Sequence, residues 1–303
     1  MADTVHISAF TGSPDRPATL FERAPAKVNL SLRVLGRRSD GYHDLSSLIA
    51  FAGTGDRLAF TPGAALGLET SGNVAALGSE SDNLVLKATH ALQALVPRLV
   101  TGHFHLVKKL PIAAGLGGGS ADAAAALRLL ARANGLGLDD IRLFDAALAT
   151  GSDVPACLYG RSCTMTGRGE GIAAVSLPRF GAVLVNPGVP VATSDVFRML
   201  AIPSGTKLRE QPPTPPGFAS REEAIAFLRD EPNDLEPPAH RLAPVLDEVA
   251  AALKATPDVL LARMSGSGAT MFALYENCRH AVRAAKMVGG AHPAWWVKST
   301  ILG

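Results

Sequence analysis

The 303-residue chain has only three cysteines, Cys157, Cys163 and Cys278. An odd, scattered set makes a poor disulfide framework and lacks metal-ligand spacing, so reduced thiols are expected. Charge bias is also missing: 29 Lys and Arg face 27 Asp and Glu, a net charge of +2. No electrostatic case arises for binding nucleic acid or an anionic membrane. No apolar run reaches the ~20 residues that span a bilayer, and the Ala-rich stretch 121–133 is interrupted by Arg128 and Arg132. The opening MADTVHISAFTGSPDRPATLFER has no basic start followed by an apolar core, so no signal peptide is expected. There is no internal repeat and no low-complexity tract. With 47% hydrophobic and 18% charged residues, the expectation is a folded cytoplasmic protein of one large or two ordinary domains. Residues 1–20 are expected to form a flexible extension.

What the chain does have is PIAAGLGGGSAD at 111–122, with four glycines in five residues: Gly115, Gly117, Gly118 and Gly119. AAAALRLLARA follows, a strong helix former. Bare backbone lets amides converge on one point, and the positive end of the helix dipole points at the same place. Together they make an anion site, most often for phosphate. Ser120 or Asp122 is expected at or just inside the first helical turn. The loop is not a Walker A loop, because no Lys-Ser or Lys-Thr follows the glycines. It comes close to a dinucleotide fingerprint, but Ser120 holds the third glycine position. A plain glycine-rich surface turn is the bland alternative.

Around the loop, residues 21–36 alternate. Val28, Leu30, Leu32 and Val34 share one face, and Lys27, Asn29, Ser31 and Arg33 share the other, which predicts a half-buried strand. DLSSLIAFA and DRLAFTPG are two further strand candidates. Residues 83–98 predict a helix ending before Pro97, and HFHLVKKL (103–110) the strand entering the Gly loop. A short amphipathic helix is expected over 139–150 and an irregular turn at GSDVPACLYG (151–160). AVLVN is a buried strand and TSDVFRML a helix. The Pro-rich stretch around 212–216 is a surface excursion, a helix runs from about 239 to 255, and MSGSGAT (264–270) precedes an apolar strand. A helix near 279–288 and a terminal strand with Trp295 and Trp296 complete the chain. On pattern alone Lys27 is a solvated lysine, Asp153 a turn or N-cap aspartate, and Tyr42 and His43 loop residues.

Four stretches in order, PAKVNLSL with RRSDGYHDL, PIAAGLGGGSAD, GSDVP and MSGSGAT, resemble the GHMP kinases. The GLGGGSAD form resembles the branch whose acceptor is a cytidine-diphosphate alcohol. The resemblance runs from Glu22 onward and implies an α+β, two-domain GHMP kinase fold. Its N-terminal domain would be like ribosomal protein S5 (21–170) and its C-terminal domain ferredoxin-like (171–303). It also implies ATP as phosphoryl donor with Mg²⁺, and a small-molecule cytidine diphosphate substrate. By the same resemblance Lys27 and Asp153 are the catalytic pair, with Asp153 as acid–base. Pro111, Ile112, Ala113, Ala114, Gly115, Leu116, Gly117, Gly118, Gly119, Ser120 and Ala121 hold ATP. Asn29, Tyr42 and His43 line the cytidine side. Ser265, Gly266, Ser267 and Gly268 support the phosphate site, and Asn233-Asp234-Leu235-Glu236 matches a family segment with a positioning role. Ser120 is the residue expected to reach the metal, since its hydroxyl sits where phosphates arrive. No nucleic-acid or membrane partner is expected, and the chain is expected to be a monomer or weak homodimer.

Three rivals stay open: another GHMP small-molecule kinase, a catalytically silent nucleotide-binding regulator, and a dinucleotide oxidoreductase. Asp139 and Asp140, about twenty residues past the loop, open a helix instead of ending a strand, which counts against the last.

Overall fold

A computed structural model of the chain describes residues 18–73, 83–215 and 217–303. In order, the elements are β1 (Leu20–Asn29), β2 (Arg33–Arg37), β3 (His43–Pro62), β4 (Gly67–Gly72), α1 (Leu84–Leu95), β5 (Gly102–Lys108), α2 (Gly118–Ala133), α3 (Ile141–Thr150), α4 (Val154–Tyr159), β6 (Cys163–Gly167) and β7 (Gly171–Ala174). There follow β8 (Phe180–Asn186), α5 (Thr193–Arg198), β9 (Thr206–Lys207), α6 (Arg221–Asp230), α7 (Glu236–Leu242), α8 (Val245–Lys254), β10 (Leu261–Met264), β11 (Met271–Tyr275), α9 (Cys278–Ala291) and β12 (Trp296–Leu302).

The first half is built on β3. Its two expected strands are one 20-residue strand. Gly53-Thr54-Gly55 does not turn the chain back, because β1 pairs on both sides of it, from Leu20 opposite Phe60 to Asn29 opposite Ile49, with a register shift between Pro25 and Lys27. Further along, β3 also pairs with β2, β5 and β6. Helices α1 to α4 cover one face. α2 lies at their centre, with Ala121, Ala123–Ala126 and Leu127 buried. Small side chains on nearly every side let neighbouring backbones come close. The two arginines that interrupt this run are anchors: Arg128 donates to Cys157 O and Arg23 O, and Arg132 donates to Phe21 O.

The second half follows the order strand β8, helices, hairpin β10–β11, α9, β12. The strands lie in the order β10-β11-β8-β12, all antiparallel. That is the split βαβ arrangement of a ferredoxin-like unit. Leu302 pairs with Ala52, and Gly303 N donates to Phe51 O, where the two sheets join. A core of Ala26, Val28, Leu30, Leu48 and Ala50 against Leu184, Phe272 and Leu274 fills the space between the halves.

Several expectations change here. The polar face of 27–31 is not solvated. Lys27, Asn29 and Ser31 are all buried, because that face turns into the cleft between the halves. Val28 and Leu30 belong to the central core, whereas Leu32 and Val34 belong to the ferredoxin-like unit's core, since the strand breaks after Asn29. Pro244 splits the expected helix 239–255 into α7 and α8. GSDVP is not only a turn: Pro155 sits in the first turn of α4, where its missing N–H costs nothing. The helix α6 was not read from its sequence. The domain boundary expected at 170 falls between β6 and β7, which pair with each other. Of the expected extension 1–20, residues 1–17 lie outside the described residues.

Candidate active site

The Gly loop is held in shape by two glycines. Gly115 and Gly117 have φ of 71° and 60°, in the left-handed region that favours glycine. A Cβ on Gly115 would lie 2.5 Å from Ser265 O, and one on Gly117 would lie 2.9 Å from Lys27 Cε. So the loop is wedged between the MSGSGAT turn and the Lys27 side chain. Gly117 is the N-cap of α2, whose first internal bond runs from Ala121 N to Gly117 O at 2.8 Å. The amides of Gly118, Gly119 and Ser120 therefore precede the helical ladder and have no partner within it. Asp122 falls in the second turn. Leu116 and Ala121 point back into the core, and Leu116 contributes its carbonyl, which accepts from Lys27 N. The other expected loop residues, 111–115 and 117–120, line a cavity of about 660 Å³.

Lys27 and Asp153 meet. Lys27 Nζ lies 2.8 Å from Asp153 Oδ2 and donates to Asn29 Oδ1 at 2.8 Å. Asp153 occupies the N-cap position of α4, yet makes no capping bond. Its carboxylate turns to Lys27 instead and stays 30% exposed, against 4% for the lysine side chain. Asn29 is oriented in turn: its Nδ2 donates to Ser47 Oγ, and Ser47 donates to Ser31 O. Asn29 therefore sits beneath Lys27 on the Gly-loop cavity and does not share the cavity of Tyr42 and His43.

Tyr42 and His43 line a second cavity of about 560 Å³. His43 stacks on Phe197 with ring centroids 4.6 Å apart. Burial, helped by Arg37, lowers its pKa below the usual histidine value, so the ring is neutral at neutral pH. The Arg168 guanidinium covers one face of Tyr42 at 3.7 Å, leaving a single face for another ring. Asp153, Ser152, Thr193 and Phe197 line both cavities, so the Lys27–Asp153 pair stands at their junction.

The MSGSGAT turn is stapled to the loop. Ser265 Oγ donates to Gly115 O at 3.0 Å and accepts from Asn29 N, and Thr270 N donates to Ala114 O. Gly266 and Ser267 reach the cavity wall, while Ser265 is fully buried and Gly268 packs on Met264. Asn233 donates to Met264 O and Gly266 O and accepts from Leu235 N, a positioning role for that segment.

Sequence reasoning missed what lies below Gly118. Lys108 is buried between Asp56 and Asp122, with Asp122 Oδ2 2.7 Å away. Asp56 also accepts from the amides of Lys109 and Leu110. Burial opposes the Lys108 charge, but the two carboxylates outweigh it and raise its pKa. One lysine serves two carboxylates, and burial leaves Asp122 pushed up to about 7. Its Oδ1 has no hydrogen-bond partner among the described residues. A signal existed: in HFHLVK, Phe104, Leu106 and Lys108 share the inward face of one strand. Thr193, bonded to Ser267 at 2.8 Å, Phe197 and Arg168 carried no signal, since only the fold brings them to the cavities. The thiols stay structural: burial pushes Cys157 and Cys163 up to about 12. No helix among the described residues is long and apolar enough to cross a membrane.

This geometry offers amides for phosphate, a carboxylate beside a lysine, and a second cavity that reaches the same carboxylate. Family models agree with it. The model of the GHMP kinases N terminal domain matches residues 83–161, and that of the GHMP kinases C terminal matches 219–293. Relatives named 4-diphosphocytidyl-2-C-methyl-D-erythritol kinase include one from Rhodopseudomonas palustris, 54% identical over 286 residues, covering 92% of this chain and 96% of the relative. Another from Methylobacterium radiotolerans is 55% identical over 287 residues, covering 93% and 99%. The chain belongs to the 4-diphosphocytidyl-2-C-methyl-D-erythritol kinase family of GHMP kinases. A solved structure of a 4-(cytidine 5'-diphospho)-2C-methyl-D-erythritol kinase matches at a TM-score of 0.73 and 35% identity, covering 94% of this chain and 99% of that one. The homoserine kinase of Cytophaga hutchinsonii, at 18% identity and a TM-score of 0.65 over 97% of each chain, shares the fold alone. Membership of this kinase family removes the oxidoreductase reading of the Gly loop.

Proposed function

We propose that this chain transfers the γ-phosphoryl group of ATP to the 2-hydroxyl of 4-diphosphocytidyl-2-C-methyl-D-erythritol, giving the 2-phosphate and ADP, in the non-mevalonate route to isoprenoid precursors. The observation that carries the proposal is the Lys27–Asp153 pair at the junction of two cavities, one with the Gly loop and one with Tyr42 and His43.

In this reading the free amides at the start of α2 hold the ATP phosphates. The acceptor's cytosine lies on the open face of Tyr42, near the His43 ring. The acceptor hydroxyl reaches Asp153, which takes its proton as the oxygen–phosphorus bond forms and the bond to the ADP oxygen breaks. The Lys27 ammonium, fixed by Asn29, steadies charge on the transferring group. Ser120, on the cavity wall and with a hydroxyl that makes no hydrogen bond among the described residues, is the residue that would hold Mg²⁺. When bound, the ion neutralises phosphate charge. Positioning and charge neutralisation supply most of the rate in such transfers.

A substrate panel with ATP tests the reading. Turnover of diphosphocytidyl-methylerythritol is expected, with neglect of homoserine, mevalonate and galactose. Comparable turnover of any of those three overturns the acceptor assignment and leaves phosphoryl transfer standing.

A further inference from the structure

A third cavity of about 430 Å³ lies apart from the two joined ones, in the seam between the two sheet halves. The seam exists because β12 meets β3 at its end, where Leu302 pairs with Ala52 and Gly303 N donates to Phe51 O, and the two strands diverge from there. Four cations from four elements line the groove: Arg23 of β1, Arg57 of β3, Lys109 just beyond β5, and Lys298 of β12. No carboxylate among the described residues lines it. Among the described residues, none of the four has a carboxylate within ion-pair distance. Other basic side chains do have acidic partners, among them Arg33, Arg38, Lys108, Arg128 and Arg142. On a chain with a net charge of +2, four uncompensated cations in one concavity make a local positive field that an anion would relieve.

Strand alternation separates this groove from the ATP cavity. Asp56 and Lys108 turn inward beneath Gly118, and their neighbours Arg57 and Lys109 turn the other way into the groove. The floor is kept open at Gly53, where a Cβ would lie 3.3 Å from Thr300 Oγ1. Ser299 and Thr300 place hydroxyls on the wall, and Val282, 43% exposed, gives it one apolar side.

We propose that this groove binds a diphosphate-bearing small molecule at a site separate from the kinase centre. The volume falls in the ~300–1,000 Å³ range of small-ligand sites. The Arg57 guanidinium presents a forked donor that matches phosphate oxygens, Arg23 offers the donors left by its bond from Nη2 to Gly53 O, and two ammoniums add point charge. Arg23, Arg57 and Lys109 from neighbouring strands of one sheet, with Lys298 from β12, suit two linked phosphates better than one.

The test is calorimetric titration of the full chain with inorganic pyrophosphate after a non-hydrolysable ATP analogue has filled the Gly-loop cavity. One pyrophosphate per chain is expected to bind. The variant Arg57→Gln/Lys298→Gln is expected to bind it at least about tenfold more weakly, with unchanged basal kinase activity. Its thermal midpoint checks folding, and Lys109→Gln, fully on the surface side, serves if the double variant does not fold. Loss of pyrophosphate binding once the ATP cavity is full overturns the proposal, as does unchanged affinity in the variants. Capture on phosphatidylglycerol vesicles without pyrophosphate binding assigns the cations to a membrane surface and also overturns it.

Discussion

Replacing Asp153 by Asn keeps the side-chain shape and removes the charge. The consequence for stability follows from the surroundings of Lys27. Removing one partner of a fully buried ion pair costs about 3–5 kcal/mol. Here the aspartate side is 30% exposed and the lysine 4%. Lys27 also keeps Asn29 Oδ1 at 2.8 Å, and the new amide oxygen still accepts a hydrogen bond. Solvent screening and these remaining acceptors reduce the loss to about 1–2 kcal/mol. That lowers the melting temperature by roughly 2–3 °C for a chain of this size and leaves the enzyme folded. The loss in rate is larger. An alcohol without its base gives up about 10²–10⁴-fold, or ~3–5 kcal/mol of barrier. Steady-state kinetics should therefore show kcat down by at least about a hundredfold, with KM for ATP little changed. Lys27→Ala should fall to the same range, and the double variant should be no slower than the worse single, because the two side chains act as one unit. A folded Asp153→Asn enzyme with near-normal kcat would refute the assignment of the base and leave positioning to carry the reaction. Multiplying losses in the double variant would refute the pairing of Lys27 with Asp153.

Three further predictions concern the loop and what lies beneath it. At Gly117, φ is 60° and a Cβ would sit 2.9 Å from Lys27 Cε, so Gly117→Ala must displace the lysine; kcat should fall at least about tenfold, beyond the ~1–2 kcal/mol of left-handed backbone strain. At Gly118 the nearest atoms to a Cβ are at 3.5 Å, so Gly118→Ala should fold normally and raise KM for ATP instead; wild-type kcat in Gly117→Ala would refute the wedge. Asp122 has its pKa raised from 3.8 to about 7, so the folded state holds a proton that the unfolded state releases, and stability from this group is lost as pH rises from about 4 to about 7. Asp122→Asn, which stays neutral, should gain stability relative to wild type across that window in urea titrations; a difference that does not change with pH would refute the buried protonation.

Local elements were legible because short-range rules decide them. The α2 helix announces itself through an Ala-Leu-Arg run behind glycines, and α1 and α3 carry Asn83 and Asp140 as side-chain caps. Motif order made the Gly loop and the Lys27 and Asp153 positions legible too. Burial was not. Lys27, Asn29 and Ser31 alternate as a solvent-facing row would, and no local feature separates a row facing water from one facing a cleft. Lys108 differs: its strand parity places it inward with Phe104 and Leu106, while its two carboxylate partners lie on other segments.

The sequence alone determined where backbone must be bare and where helices must start, because glycine's freedom and capping bonds act over a few residues. The tertiary structure decided partnership. Lys27 and Asp153 are brought together by β1 lying under the loop that leads into α4, and Asn233 reaches the MSGSGAT turn through the ferredoxin-like half. The two cavities meet at Asp153 only because the halves pack across a shared core. Contacts between distant segments depend on how sheets and helices fill space together, which no single stretch of chain encodes.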